Sequence, residues 1–256
     1  MTVVAGVSAK GAPGVSLGMW ALFHCWPRPV IGMEVDPSGG TWALRHGLTC
    51  EPGLASLAAT QGPLTFDVTA QHAMTVSDHR FVVCAPREAT IVSAAMGWLN
   101  DRLLAWPTDA DLLIDAGRIS PQTLSTNAAV KRADTVLVFA RPCPEELGPV
   151  SHLLGELAKT LQATALVKLV LIGSAPYAPH ETVEALRRLT QNRLTFSIGA
   201  VLPDDPNAAL EIRTGSKRAN KIVNRWFGPL ATELATASAH RPLTPSSLLT
   251  SPRFGA

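Results

Sequence analysis

Residues 2–21, TVVAGVSAKGAPGVSLGMWA, carry the reading that decides the fold. The apolar run Val3 to Val7 predicts a buried strand. Lys10-Gly11-Ala12-Pro13-Gly14-Val15-Ser16 predicts a glycine-bearing turn, and an apolar run that follows predicts a helix from about Gly14 to His24. Strand, glycine turn and helix in that order let backbone N–H groups wrap a phosphate, with the helix N-terminus adding partial positive charge. A standard P-loop has lysine directly before its Ser/Thr; here that place is Val15. Any nucleotide chemistry must proceed without that lysine.

Working outward, Pro29 to Val35 predicts a second buried strand that ends at Asp36-Pro37-Ser38-Gly39-Gly40. An acid at the carboxyl end of a parallel strand is placed to reach Mg²⁺ or an attacking water. The same Asp-Pro-Ser is also good capping chemistry for a helix at Thr41 to His46. Asp111 to Asp115 (DLLID) predicts a strand that ends in an acid, followed by Ala116-Gly117-Arg118 as a loop. Further strands are expected at Arg80 to Ala85, Ala133 to Ala140, Leu166 to Ser174 and Thr195 to Leu202. Helices are expected at Glu51 to Thr60, Arg87 to Trp106, Pro121 to Val130, Glu145 to Gln162, His180 to Asn192, Asn207 to Thr214 and Ser216 to Ala239. Phe66 to Ser77 reads ambiguously. Continuous apolar strands alternating with helices are the mark of a parallel sheet covered on both faces. The expectation is a doubly wound α/β P-loop domain over residues 1–240, with about seven mostly parallel strands, and a loose tail at 241–256.

Composition sets the outer limits. The chain has 256 residues, 46% hydrophobic and 16% charged, with net charge +2. That is the balance of an ordered globule, and the charge is too small to imply nucleic-acid binding by itself. No run is long enough for a membrane-spanning helix, and no leader is read at the N-terminus, so a cytoplasmic protein is expected. Cys25, Cys50, Cys84 and Cys143 form no CxxC pair and read as buried free thiols. An iron–sulfur reading through Cys84 and Cys143 lacks flanking glycines, and the histidines show no metal-ligand spacing.

Taken together, Lys10-Gly11-x-x-Gly14-x-Ser16 resembles the deviant Walker A motif of the MinD/ParA ATPases, KGGxGK[ST]. Glu34-Val35-Asp36-Pro37 is similar to their second strand and switch I. Asp111 to Asp115 is similar to their Walker B strand, Ala133 to Pro142 to the strand after switch II, and Leu202-Pro203-Asp204-Asp205 to their late loop near adenine. AKGAPGVS with WPRPVIGMEVDPSGG resembles an actinobacterial branch, whose members are found beside partition, conjugation or pilus-type secretion machinery. The resemblance covers about residues 1–235.

It implies a nucleotide-dependent homodimer with ATP and Mg²⁺ as cofactors. ATP would be held by Lys10, Gly11, Ala12, Pro13, Gly14, Val15, Ser16 and Leu17, with Pro203 and Asp204 beside the base. Mg²⁺ would be held by Ser16, Asp36 and Asp115. Lys10 would reach the partner's phosphates, and Asp36 would support hydrolysis. Losing the charge-assisted bond of the P-loop lysine costs about one to two decades in affinity, so an ATP hydrolase of weak activity at most is expected. Arg118 either replaces that charge or only caps the next helix.

Lys217, Arg218, Lys221 and Arg225 are expected on the last helix, as a non-specific DNA stripe or a merely solvated face. The tail lacks a basic amphipathic helix, so no direct membrane insertion is expected. Rival readings are a pseudo-ATPase scaffold that acts through protein partners, and a ligase of the dethiobiotin-synthetase kind.

Overall fold

The apolar runs become strands whose residues are almost all buried. β1 (Val3–Ser8) and β6 (Thr135–Ala140) expose none of theirs. The computed structural model describes residues 1–10, 14–104, 110–124 and 127–237. Gly11, Ala12, Pro13, the expected helix end at Trp106 and the expected tail therefore lie outside the described residues.

After β1 come α1 (Val15–Cys25), β2 (Val30–Glu34), α2 (Trp42–His46), α3 (Leu54–Ala58), α4 (Phe66–Gln71), β3 (Met74–Ser77) and β4 (Arg80–Val83). Next are α5 (Ala89–Leu104), β5 (Asp111–Arg118), α6 (Pro121–Leu124), α7 (Ala128–Arg132) and β6. The chain continues with α8 (Pro144–Thr160), β7 (Leu166–Ile172), α9 (Pro179–Leu189), β8 (Ser197–Leu202), α10 (Pro206–Thr214) and α11 (Ala219–Ala237).

The strands form one sheet in the order β3-β4-β2-β5-β1-β6-β7-β8. Every pairing is parallel except β3 with β4. The doubly wound α/β P-loop fold is therefore as expected, with eight strands among the described residues rather than about seven. The extra one is β3, from the stretch that read ambiguously. It is an edge strand with alternating exposure, and its short polar pattern is too weak to distinguish from a loop. Two further boundaries differ. The single helix expected at Pro121 to Val130 is replaced by the short α6 and by α7, which the Asn127 side chain starts by accepting from the Val130 amide. Gly117 and Arg118, expected in a loop, belong to β5.

Helices cover both faces. One core gathers α1, α2, α10 and α11 around Trp20, Phe23, Trp42 and Phe227. The other gathers α3 and α5 to α9 around Leu54, Leu99, Leu154 and Leu186. Among the cysteines only Cys84 is buried; Cys25, Cys50 and Cys143 are partly exposed, so the expectation of buried thiols holds for one of them.

The amino end of the sheet is fastened by one carboxylate. Asp111, 3% exposed, accepts from the Thr2 amide, the Trp26 indole Nε1 and the Arg28 Nε, each at 2.7 Å. Arg28 also donates to the Thr2 hydroxyl at 2.8 Å. At the opposite end, β1 lies between β5 and β6; its own connection runs through α1 to β2 on one side of it, while that of its neighbour β6 runs through α8 to β7 on the other. A crevice opens there by topology alone.

Candidate phosphate and cation site

α1 starts in that crevice. Its N-cap is Gly14 at φ 82° and ψ 31°, the left-handed region that an L side chain disfavours. Among the described residues no side chain caps the helix, and no acid stands in its first turn. The first amides thus keep their capacity for an outside acceptor. Val15 is 6% exposed and packs into the core between α1 and the sheet. The position that usually carries the phosphate-binding lysine is an apolar anchor here, and only its backbone remains for a ligand. Ser16 and Leu17 are half-buried beside it. The Trp42 indole donates to the Ser16 carbonyl at 3.0 Å, which ties α2 to the start of α1.

Three acids converge at the carboxyl ends of β2 and β5, and they differ in what their oxygens do. Glu34 is fully buried and saturated. One oxygen accepts from the Thr41 amide at 2.6 Å and the Trp42 amide at 3.1 Å, and the other from the Ala85 amide at 3.2 Å. Glu34, and not Asp36, therefore caps α2. Asp36 folds its own turn, accepting from the Ser38 amide at 2.8 Å. Its carboxyl lies so close to Gly117, at φ 58°, that a Cβ there would fall 2.0 Å from the Asp36 Cγ.

Asp115 is fully buried. One oxygen accepts from the Gly117 amide at 3.1 Å, and the other, Oδ2, has no hydrogen-bond partner among the described residues. Burial first, and then the Glu34 and Asp36 charges, push the Asp115 carboxyl up to about 7; Ser16 and the Gly117 amide pull the other way. Burial also raises Asp36, with Ser38 and Arg45 opposing it.

A buried carboxylate oxygen without a partner is costly, and it is the kind of group that a cation satisfies. Among the described residues no group of three or more His, Cys, Asp or Glu could hold a metal ion unaided, and Glu34 spends both oxygens on backbone amides. Asp115, Asp36 and the Ser16 hydroxyl are instead a sparse set of hard oxygens. That set fits Mg²⁺, which is bound through one or two carboxylates plus water and substrate phosphates.

The two candidate cations lie at the rim. Lys10 is exposed; the Glu145 carboxyl at the start of α8 is lowered by its own backbone amide and by Cys143, and the Lys10 charge adds the smallest part. Arg118 is exposed at the end of β5, in register with Ser8.

Pro203 and Asp204 follow β8 and line a cavity of about 270 Å³ together with Gly14, Leu17 and Trp226. The loop expected beside a base thus meets the start of α1. Arg141, which the sequence reading missed, lines the same cavity and pairs with Asp204 at 3.5 Å. Its signal was a cation at the end of an apolar strand, FARP, but only strand order puts β6 next to β1.

Lys217 and Arg218 lie in the turn before α11, not on the helix as expected; Lys221 and Arg225 are on it, and all four are exposed. Arg218, Lys221 and Arg225 share a groove with Trp226, but Asp205 and Glu211 line it too. The stripe's field is therefore mixed in sign. No helix of the described residues is long and apolar enough to cross a membrane.

No protein-family profile and no curated sequence matches the chain. Solved structures do. A ParA family ATPase from Chlorobium tepidum superposes with a TM-score of 0.66 at 15% identity, over 91% of this chain and 98% of that one. The cell-division ATPase MinD of Pyrococcus furiosus gives 0.66 at 18%, over 93% and 100%. A point variant of Cyanothece McdA in complex with ATP gives 0.62 at 12%, over 94% and 98%. Identities this low establish the shared fold.

Proposed function

We propose that this chain is a MinD/ParA-like switch that dimerises on nucleotide and positions DNA or a partition, conjugation or secretion apparatus. The observation that carries this reading is the free Oδ2 of buried Asp115, set below an α1 start without a side-chain cap. The Cyanothece McdA structure of the same fold holds ATP.

In this reading Gly11 to Leu17 cradle the phosphates, and the cavity at Pro203 and Asp204 takes the base. Ser16, Asp36 and Asp115 hold Mg²⁺, which supplies charge neutralisation between phosphate oxygens. Gly14 supplies the left-handed turn that aims amides at the anion. Asp36, held against Gly117, stands where it can orient water. Arg141 and Arg118 offer positive charge within the subunit, and Lys10 at the rim offers it to a partner copy. Residues 1–240 act as one such domain, in the cytoplasm. The basic residues Lys217, Arg218, Lys221 and Arg225 offer a weak, sequence-independent DNA contact.

Burial of Val15 favours a second reading, a scaffold of the same fold that works through partners without turnover. The two separate in one experiment. Light scattering with Mg²⁺ and ATP is expected to show native dimers, and Lys10→Ala is expected to stay monomeric while still binding nucleotide. A native chain that binds no nucleotide in the millimolar range leaves the scaffold reading in its place.

A further inference from the structure

A larger cavity, of about 550 Å³, lies apart from the phosphate crevice and has no role in the reading above. Its walls come from the later turns of α1, from α2, from β3 and from the junction of α10 with α11. It touches the smaller cavity only through Ile212 and Arg213. The volume falls within the range of small-molecule sites, and it is far more than a bare phosphate fills.

Charge and ring chemistry define what fits. Arg45 and Arg213 line the cavity, no acidic side chain does, and neither arginine forms an ion pair among the described residues. Two cations in a lining that holds no acid favour an anion, even with Asp36 within electrostatic reach of Arg45. Aromatic rings share the lining with the two arginines. His46 lies flat on Trp20, with ring centroids 3.7 Å apart and planes 9° from parallel. His24 meets the same indole edge-on at 4.7 Å. Burial lowers both imidazoles to about 4, with Arg80 adding to it for His24, and His24 and then Arg45 for His46, so at neutral pH they are uncharged rings. Asn220 adds a polar edge. A half-open cavity lined by indole and imidazole rings and by two arginines suits a ligand that is planar at one end and anionic at the other.

We propose that this cavity is a second ligand site, for a small organic anion with a planar ring, the chemistry shared by nucleoside monophosphates and aromatic carboxylates. It does not depend on the nucleotide reading.

The test is ligand-observed NMR of the full chain with AMP, anthranilate and inorganic phosphate as probes. At least one aromatic anion is expected to bind below about 5 mM, and phosphate far more weakly. Whether AMP or anthranilate binds better decides between a nucleotide and a carboxylate source. Arg45→Glu is expected to weaken binding about tenfold or more by reversing one charge in the lining. Asn220→Trp, on an exposed helix position that lines this cavity and not the smaller one, is expected to abolish it, with thermal melting unchanged in both variants. The proposal is overturned if neither aromatic anion binds, if phosphate binds as well as they do, or if binding survives Asn220→Trp. Should Asn220→Trp melt early, the Arg45→Glu result alone decides, with unaltered affinity counting against the site.

Discussion

Strand β5 carries an aspartate at its start and another near its end, and both are buried. Asp111 meets an amide, an indole N–H and a guanidinium. Asp115 meets one amide, with the Ser16 side chain also favouring its charge, and its Oδ2 has no hydrogen-bond partner among the described residues. Burying a charge is expensive in both places, but the protein itself offsets the first cost more fully than the second. Asp111 therefore acts as a structural clasp, and Asp115 as a group whose partner comes from outside. The sheet topology fits this division. The carboxyl ends of parallel strands face the crevice, and the amino ends face the closing chain.

The largest effect is expected from breaking the clasp. Asp111→Ala leaves Arg28, Trp26 and the Thr2 amide without their acceptor, and should lower unfolding stability by about 3 kcal/mol, since Arg28 is a third exposed. Urea unfolding checks this. Gly117→Ala strikes the other end. A Cβ at φ 58° would collide with the Asp36 carboxyl, so a loss of about 1–2 kcal/mol is expected together with displaced Asp36 and weakened Mg²⁺-dependent binding. Asp115→Asn should do the opposite to stability. Removing an uncompensated buried charge should leave it unchanged or raise it by about 1 kcal/mol, by the same urea assay.

The smallest effect concerns pH. His24 and His46 have folded values of about 4, below the ordinary 6.5. The unfolded chain takes up their protons first, so the stability they contribute is present above about pH 6.5 and is lost as pH falls toward 4. The raised carboxyls of Glu34, Asp36 and Asp115 run the other way over part of that range. The reading is therefore a difference: His46→Phe should lose less melting temperature than the native chain between pH 7 and 4.5.

Much of this division was legible in the residues. Strand β1, the start of α1 at Gly14, the acid closing DLLID and the acid after PVIGMEV all fall where the residues put them, the last three on the crevice side of the sheet. What was hidden depends on strand order and on side-chain partners. Glu34 and Asp36 are near neighbours in sequence, and nothing in their spacing says that one is consumed by the Thr41 and Trp42 amides. Arg141 stays distant from the P-loop until β6 is placed beside β1. β3 forms only because β4 supplies its single neighbour. Val15 announced the missing lysine, but only packing shows that its side chain turns into the core.

The most direct test is a calorimetric titration of ATP with and without Mg²⁺ into the native chain, Asp115→Asn and Asp111→Asn. The account predicts Mg²⁺-enhanced binding in the native chain, its loss in Asp115→Asn, and its retention in Asp111→Asn despite lower stability. Equal affinities in the native and Asp115→Asn proteins would contradict it.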